Sequence, residues 1–231
     1  MSEHSRRAES SLVGEWLTGK VVPLFLWSLL LASEIVALSQ KAGEMARQGW
    51  REDLTLEVAR HVLTLSFFLL VLAAYLTRIG AVSRATGFRE RVLPMLIFLS
   101  GPAGIFFLQL LDLPPRFQAS RIAVALSVAG LALSLWSLWH LRSAFSILAE
   151  ARRVVITGPY RLVRHPLYLG EAVTMLGLCM LQGTLTALSF WAGFNALQLV
   201  RARIEENKLA RQFPDYRAYR QRTRFILPGI Y

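Results

Sequence analysis

The sequence predicts an all-α protein of the membrane, a polytopic bundle of about six transmembrane helices. Its 231 residues have a mean hydropathy of +0.42, and 54% of them are hydrophobic, which is too apolar for an ordinary soluble domain. Long apolar runs recur along the chain, each near the length that crosses a bilayer core of roughly 30 Å. Six such runs cover residues 21–40, 60–79, 92–111, 122–141, 166–181 and 184–200.

The chain divides into three overlapping parts. Residues 1–20 are polar and of mixed charge, and they predict a cytoplasmic segment. The apolar run that follows is too long for the core of a signal peptide and lacks a small-residue cleavage site, so we expect it to remain as a transmembrane helix. Residues 21–200 are predicted to form the bundle. Residues 142–231 form a C-terminal region that overlaps the last helices and carries most of the polar side chains of interest.

The basic residues predict how the bundle is oriented. The net charge is +11. With the N-terminus inside, 20 of the 26 lysines and arginines fall on cytoplasmic segments and 6 on external ones. This positive-inside bias places both termini in the cytoplasm, and a basic inner face suits contact with anionic lipid heads. We therefore expect an integral protein of a bacterial inner membrane and exclude nucleic acid as a partner.

Few ionisable groups lie within the first four predicted helices. Glu34 is one, about two turns from the outer end of its helix, where its carboxylate is expected to snorkel toward water. His61 and His140 fall near helix ends and predict interfacial or structural roles. The single cysteine, Cys179, excludes an intrachain disulfide and a cysteine metal site, and no metal is predicted.

The last two apolar runs predict a tight helical hairpin. Only Gln182 and Gly183 separate them. Because the two arms are antiparallel and of similar length, about 24 Å at 1.5 Å per residue, the beginning of the first arm and the end of the second must be neighbours.

The stretch GPYRLVRHPLYLGE, residues 158–171, forms the cytoplasmic end of the first arm. His165 precedes a proline, which disfavours helical geometry there, whereas Pro166 fits the first position of a helix. The helix is thus predicted to start at Pro166. Its free N–H groups make an anion site, and Arg164 stands beside it. On the helix, Tyr168 and Glu171 share a face. Gly170 leaves room for a ligand or for another helix.

The second arm carries a polar stripe into the cytoplasm. Arg201 and Glu205 are four residues apart on this stripe, and Glu206 is adjacent. Polar residues of membrane helices usually face the protein interior. The hairpin then predicts that this cluster meets the one around Arg164, although each cluster by itself is also compatible with interfacial anchoring. The stripe is formed by Asn195, Gln198, Ala202, Glu205 and Leu209.

Three motifs together resemble a known family. RHPLYLG at residues 164–170, the pair Glu205–Glu206 and the tail YRAYRQRTRFILPGIY are similar to the isoprenylcysteine carboxyl methyltransferase family and to the related phospholipid N-methyltransferases. The resemblance covers about the last eighty residues. It implies an integral membrane methyltransferase that binds S-adenosyl-L-methionine at the cytoplasmic face, with residues 142–231 as the catalytic region.

The resemblance also implies roles for the motif residues. The carboxylate of the cofactor suits Arg164, His165 and the helix start, its ammonium and ribose suit Glu205 or Glu206, and its adenine suits Tyr168 and leucines of the hairpin. Arg201 is then the residue that positions a carboxylate acceptor, whereas Glu205 serves as a base for an amine or thiol. The full cofactor-binding set implied is Arg164, His165, Pro166, Tyr168, Leu169, Gly170 and Glu206, and the catalytic pair is Arg201 and Glu205.

The acceptor is expected to be a lipid or isoprenoid-type molecule from the bilayer, with a carboxylate favoured and the oligomeric state left open. Two other functions remain as alternatives. NADPH-dependent sterol-type reductases also carry an Arg-His-Pro turn, but there an asparagine commonly follows the proline, where Leu167 stands here. A transporter subunit is disfavoured because the polar residues gather at one interface and do not line the midplane.

The charge distribution makes a prediction about topology. We expect a cysteine introduced at Gln48, in a Cys179→Ala background, to react with a membrane-impermeant maleimide added outside the cell, because residues 41–59 are predicted to be external. A cysteine at Arg89, in a predicted cytoplasmic loop, is the matched control and should react only after permeabilisation. Labelling at Gln48 from the cytoplasm alone would contradict the six-helix arrangement.

Overall fold

The computed structural model describes residues 21–77, 80–111, 113, 114, 116, 120–147 and 149–226, and within these ranges the chain is helical with no strand. The predicted all-α class is confirmed. The predicted cytoplasmic segment 1–20 and the last five residues lie outside the described part. Seven α-helices follow one another: α1 Val22–Gln48, α2 Glu52–Leu76, α3 Leu93–Leu110, α4 Ser120–Leu141, α5 Pro166–Gln182, α6 Leu185–Gln212 and α7 Asp215–Arg222.

By length and composition, three stretches of the described helices can cross a membrane: Leu24–Gln48 in α1, Glu57–Leu76 in α2 and Arg121–Leu141 in α4. The six apolar runs each coincide with a helix, α1 to α6. The number of spans and their orientation stay predictions.

Two helices continue well beyond the apolar runs that predicted them. α1 reaches Gln48, and α6 reaches Gln212. Both extensions consist largely of good helix formers such as Lys, Glu, Met, Arg and Gln, which keep the helix intact where it becomes polar. Lys41 on the α1 extension lies 3.1 Å from Glu44 and 2.9 Å from Glu57 of α2. The long α6 is the one that matters for function, because its polar part carries half of the candidate site.

Small residues allow α4 and α5 to pack very closely. A Cβ atom built on Gly170 would lie 2.4 Å from Ser134 Oγ and 2.7 Å from the Ser134 nitrogen, and one built on Gly177 would lie 2.4 Å from the Ala123 oxygen. Small residues at such an interface let two helix backbones approach in lipid. The room left by Gly170, which was expected to serve either a ligand or another helix, is therefore occupied by α4.

The helical hairpin is confirmed. α5 ends at Gly183, whose left-handed conformation (φ 65°, ψ 17°) reverses the chain. Thr184 then caps α6 by accepting a hydrogen bond of 3.1 Å from the Ala187 nitrogen. Across the arms, Trp191 Nε1 donates to the Ala172 oxygen at 2.9 Å. The start of α5 and the polar half of α6 are thereby held side by side.

Glu34 does not snorkel, contrary to expectation. Its Oε1 lies 2.6 Å from His61 Nδ1 on α2, and the side chain is 14% exposed. Arg60 Nη2 lies 2.8 Å from His61 Nε2. Because Arg can only donate, His61 accepts at Nε2 and donates from Nδ1 to Glu34. A carboxylate inside an apolar bundle is satisfied more fully by this pairing than by reaching toward distant water.

The packing of α5 on α4 leads to a stability prediction. We expect Gly170→Ala to destabilise the protein by about 1–3 kcal/mol, because the added methyl group meets the backbone of Ser134, which cannot move aside cheaply. Gly193→Ala in α6 is the matched control, since a Cβ there meets nothing within 4 Å. Thermal unfolding of the purified protein in detergent measures both. Equal midpoints for the two variants would contradict the close packing.

Candidate active site at the start of α5

The entry into α5 has the geometry that its sequence predicts. Residues Gly158–Arg161 form a 3-10 turn, and Gly158 has φ 59°. A Cβ on Gly158 would lie 2.4 Å from His140 Nε2, so the turn needs glycine for both its conformation and its space. His165 is non-helical (φ −125°, ψ 57°), and Pro166 is the first residue of α5. This confirms the predicted helix start.

Arg164 and Glu206 join the start of α5 to α6. Arg164 Nε donates to Glu206 Oε1 at 2.5 Å, and the two side chains are 4% and 1% exposed. Arg164 Nη1 also donates to the Arg220 oxygen at 2.9 Å and to the Thr223 oxygen. One guanidinium thus ties α5, α6 and the end of α7 together.

The C-terminal segment completes this cluster. The Arg164 and His165 nitrogens donate to the Arg224 and Phe225 oxygens at 2.8 and 3.2 Å. The Phe225 ring packs edge-on against His165, with centroids 5.0 Å apart, and under the Arg203 guanidinium at 4.2 Å. Phe225 was not among the site residues predicted from the sequence. The only signal was an aromatic residue among basic ones after the last helix, which does not say what it contacts.

Tyr168 is the centre of a second group of contacts. Its ring stacks on His165 at 5.4 Å, and its hydroxyl donates to Glu205 Oε2 at 3.0 Å. The Arg201 guanidinium lies over the Tyr168 ring, 5.2 Å from its centroid, and donates to the Ile147 oxygen at 3.0 Å. Arg201 is 5% exposed, so it is a buried cation and not the interfacial anchor that the sequence also allowed.

One turn further along α5, Glu171 meets the polar stripe of α6. Gln198 Nε2 donates to Glu171 Oε2 at 2.8 Å. Gln198 and Ala202 are buried, which confirms that the stripe faces the protein interior. Glu171 therefore lies between the Tyr168 group and the apolar middle of the bundle.

Two cavities meet at Glu171. The first is narrow, about 70 Å³, and is lined among others by Tyr160, Tyr168, Arg201 and Glu205. The second is larger, about 510 Å³, and lies among the apolar helices. The residues that line both are Trp27, Phe67, Phe98 and Glu171. A ligand in the first cavity and a ligand in the second would consequently face each other across this shared wall.

The electrostatics of the cluster favour an ionised Glu206. Burial by itself raises the pKa of this carboxyl, but the hydrogen bonds and positive charges of His165 and Arg164 outweigh burial and lower the pKa to about 2. Glu206 Oε2 is buried without a hydrogen-bond partner in the described part of the chain, with Arg220 Nε 3.6 Å away. The carboxylate thus compensates several cations at once.

The residues expected to form the site come together in the structure, and they divide into two contacting groups and a structural framework. Arg164, His165 and Glu206 contact one another, and Tyr168, Arg201 and Glu205 form the adjoining group. Three others are part of the framework: Pro166 starts α5, the Leu169 nitrogen donates to the His165 oxygen at 3.1 Å, and Gly170 packs on α4. The Ile147 oxygen was missed, because no sequence pattern marks a backbone acceptor.

The ion pair makes a prediction about acid stability. A lowered pKa means that Glu206 stabilises the fold above pH 4.5 and that this contribution is lost as the pH falls from 4.5 to about 2. We expect Glu206→Gln to destabilise the protein by about 3–5 kcal/mol at neutral pH, because buried cations lose their counterion. The variant should also lose this acid dependence. Glu205→Gln is the control and should change stability little, and thermal unfolding between pH 2 and 7 distinguishes them. Equal losses in both variants would contradict the assignment.

Comparison with known proteins identifies the region that carries the site. Residues 119–216 match the phospholipid methyltransferase family. A nickel-cobalt-cadmium resistance protein, NccN, of Alcaligenes xylosoxydans xylosoxydans is 32% identical over 82 residues, which are 35% of this chain and 38% of that protein. A cobalt-zinc-cadmium resistance protein, CzcN, of Cupriavidus metallidurans is 31% identical over 118 residues, 50% of this chain and 55% of that protein.

The chain thus spans about half or less of the length of these relatives. Among the residues that the structure describes, no group of three or more His, Cys, Asp or Glu side chains is arranged to hold a metal ion. The family match includes RHPLYLG and Glu205–Glu206, two of the three motifs that carry the resemblance, and it ends where the third begins. The similarity to the phospholipid methyltransferase family thus covers the part of the chain that holds most of the candidate site.

Proposed function

We propose that the protein is an S-adenosyl-L-methionine-dependent methyltransferase that acts on a lipophilic acceptor at the cytoplasmic interface of the membrane. The observation that carries the proposal is the convergence of the α5 start with the polar half of α6, where Tyr168 contacts Glu205 and Arg201. The alternative within the family is a phospholipid N-methyltransferase.

The side chains that line the narrow cavity are chemically suited to a zwitterionic cofactor that carries an adenine ring. The narrow cavity is lined by aromatic rings, by the Glu205 carboxylate and by guanidinium groups, which complement an adenine, an ammonium group and a carboxylate respectively. Its volume of about 70 Å³ is smaller than that of a small-molecule pocket, so we expect this space to open when the cofactor binds. When bound, the cofactor supplies an electrophilic methyl group on a sulfonium. We assign its ammonium or ribose to Glu205 in preference to Glu206, because Glu206 already accepts from Arg164 and His165.

The protein groups orient the reaction partners. His165, which itself packs against Phe225, stacks on the Tyr168 ring, and the Arg201 guanidinium lies over the same ring from α6. A carboxylate acceptor would be positioned by Arg201, whereas a protic acceptor would need a base, for which Glu205 was the sequence-based choice. The acceptor would enter from the bilayer side, where the larger apolar cavity lies. The metal resistance named for the two relatives does not by itself identify an acceptor.

Cofactor choice is the first test. We expect calorimetry on the purified protein to show micromolar binding of S-adenosylmethionine or S-adenosylhomocysteine, a binding free energy of about −8 kcal/mol. We expect no saturable binding of NADPH. Saturable NADPH binding without binding of either adenosyl compound would overturn the proposal in favour of a reductase.

The same titration applied to variants separates binding from turnover. His165→Ala should weaken binding of S-adenosylhomocysteine, because Tyr168 loses its stacking partner. Arg201→Lys keeps the buried charge and should bind nearly as wild type, but it should lower kcat roughly 100-fold or more with any acceptor found. Equal loss of cofactor binding in both variants would move Arg201 into the cofactor site. If both variants bind S-adenosylhomocysteine and turn over an acceptor as the wild type does, the two clusters are interfacial anchors.

A further inference from the structure

We propose that the 510 Å³ cavity binds the methyl acceptor and that this acceptor is an uncharged lipophilic alcohol, with its hydroxyl at Glu171 and Gln198 and its apolar chain among α1 to α6. This inference rests on the function proposed above and names its substrate class. It departs from the carboxylate acceptor that the sequence favoured.

The cavity has the size and lining of a ligand site. Its volume lies within the roughly 300–1,000 Å³ that small-molecule pockets occupy. Most of the wall is apolar, with Phe67, Phe98, Met175 and Phe194 among the lining residues. An apolar ligand can therefore pack against these walls without burying polar groups of its own that would lack a hydrogen-bond partner.

Three buried polar atoms, each belonging to a side chain that lines the cavity, have no hydrogen-bond partner within the described residues. They are Trp27 Nε1, Ser134 Oγ and Gln198 Oε1, on side chains that are only 2–4% exposed. Gln198 donates to Glu171, and Ser134 lies beside Gly170, the residue before Glu171. Inside a bilayer each unpaired group costs free energy, so a ligand that pairs with them is stabilised there.

The chemistry of these atoms selects a hydroxyl. The indole N–H is a donor, the amide oxygen is an acceptor, and the serine hydroxyl is both. An alcohol oxygen can accept from such a donor, and its single O–H can donate either to the amide oxygen or, when the proton is transferred, to the neighbouring Glu171 carboxylate. A carboxylate only accepts and an alkylammonium only donates, so each would leave one kind of partner unpaired.

Charge leads to the same class of acceptor. In their charged forms Glu171, Glu205 and Arg201, which all line the narrow cavity, carry one net negative charge among the three, and the sulfonium of the cofactor would neutralise it. Arg152 and Glu150, also on the wall of the narrow cavity, form a pair at 2.6 Å. A carboxylate acceptor would add a second negative charge beside two carboxylates. An ammonium acceptor would add a positive charge beside the sulfonium and the guanidinium.

Glu171 has the position of the base for such an acceptor, because it lines both cavities, whereas Glu205 lines only the narrow one. The acceptor oxygen forms a bond to the methyl carbon, and the carbon–sulfur bond breaks with its electron pair remaining on sulfur. The hydroxyl proton passes to the Glu171 carboxylate. The products are a methyl ether and S-adenosylhomocysteine.

The outward end of the cavity limits the length of the chain. Glu34 and Arg60 line that end and belong to the hydrogen-bonded group with His61. On α1, Glu34 stands seven residues from Trp27, and on α2, Arg60 stands seven residues from Phe67. Two helical turns correspond to about 10 Å, so we expect a chain of about that length to fit.

Three ligands with the same chain and different head groups test the proposal. The probe is decanol with a photoreactive diazirine in its chain, added to the protein in phosphatidylcholine nanodiscs at neutral pH, and the labelled peptides are identified by mass spectrometry. We expect labelling of α3 and α5 that decanol suppresses at least tenfold more effectively than decanoate or decylamine. Labelling that no competitor suppresses reports lipid-facing contact and is subtracted.

Variants on one helix locate the site. Ile105→Trp fills the cavity and should abolish the suppressible labelling, whereas Leu96→Trp, at a position 53% exposed on the same helix, should leave it unchanged. Gln198→Leu should keep labelling but lose the preference for decanol. If Ile105→Trp does not fold, the competition in the wild-type protein still decides.

Equal or better competition by decanoate or decylamine would overturn the proposal, as would wild-type labelling of folded Ile105→Trp. Calorimetry with S-adenosylhomocysteine on the same preparation separates the two levels of inference. Binding of S-adenosylhomocysteine without decanol-specific labelling contradicts the alcohol site alone. Decanol-specific labelling without such binding supports the site and contradicts the methyltransferase function.

Discussion

The buried ion pair between Arg164 and Glu206 is the constraint on which the candidate site depends. It joins the residues just before α5 to the polar half of α6, and Arg164 also donates to the carbonyl oxygens of Arg220 and Thr223. Two buried charges are costly to bring out of water, and such a pair stabilises little compared with apolar packing of the same volume. Its effect is positional. With both partners present, the α5 start, α6 and the C-terminal segment have one relative arrangement, and that arrangement brings Tyr168 to Glu205.

Much of this arrangement can be predicted from the sequence, because its causes are local. A proline after a histidine determines where α5 starts, and a glycine after seventeen helical residues determines where the chain reverses. Once both are known, antiparallel geometry brings Arg164 and Glu206 together. The polar stripe on α6 is likewise visible from its period, since buried polar residues recur at helical spacing on one face.

The remainder depends on contacts that no local pattern encodes. Phe225 meets His165 through a short pairing of extended segments near the C-terminus, and Arg201 reaches a backbone oxygen at Ile147. Glu34 finds His61 on another helix, which hydropathy alone cannot anticipate. Backbone acceptors carry no sequence signature, and partners on different helices are set by the packing of the whole bundle. The motif residues were therefore predictable as a group, but the division of labour among them was not.

In the proposed methyltransferase, the wall between the two cavities would let one protein bring a polar cofactor to an apolar acceptor. Arg164, His165 and Glu206 lie on the polar side, where charges are paired with one another. Trp27, Phe67 and Phe98 border both spaces and form the apolar part of the wall between them. Glu171 is the only carboxylate among the four residues common to both linings, so a proton released on the apolar side has a defined acceptor there. Because α5 carries Tyr168 and Glu171 on one face, the same helix start that organises the polar side would also set the distance between the two proposed ligands.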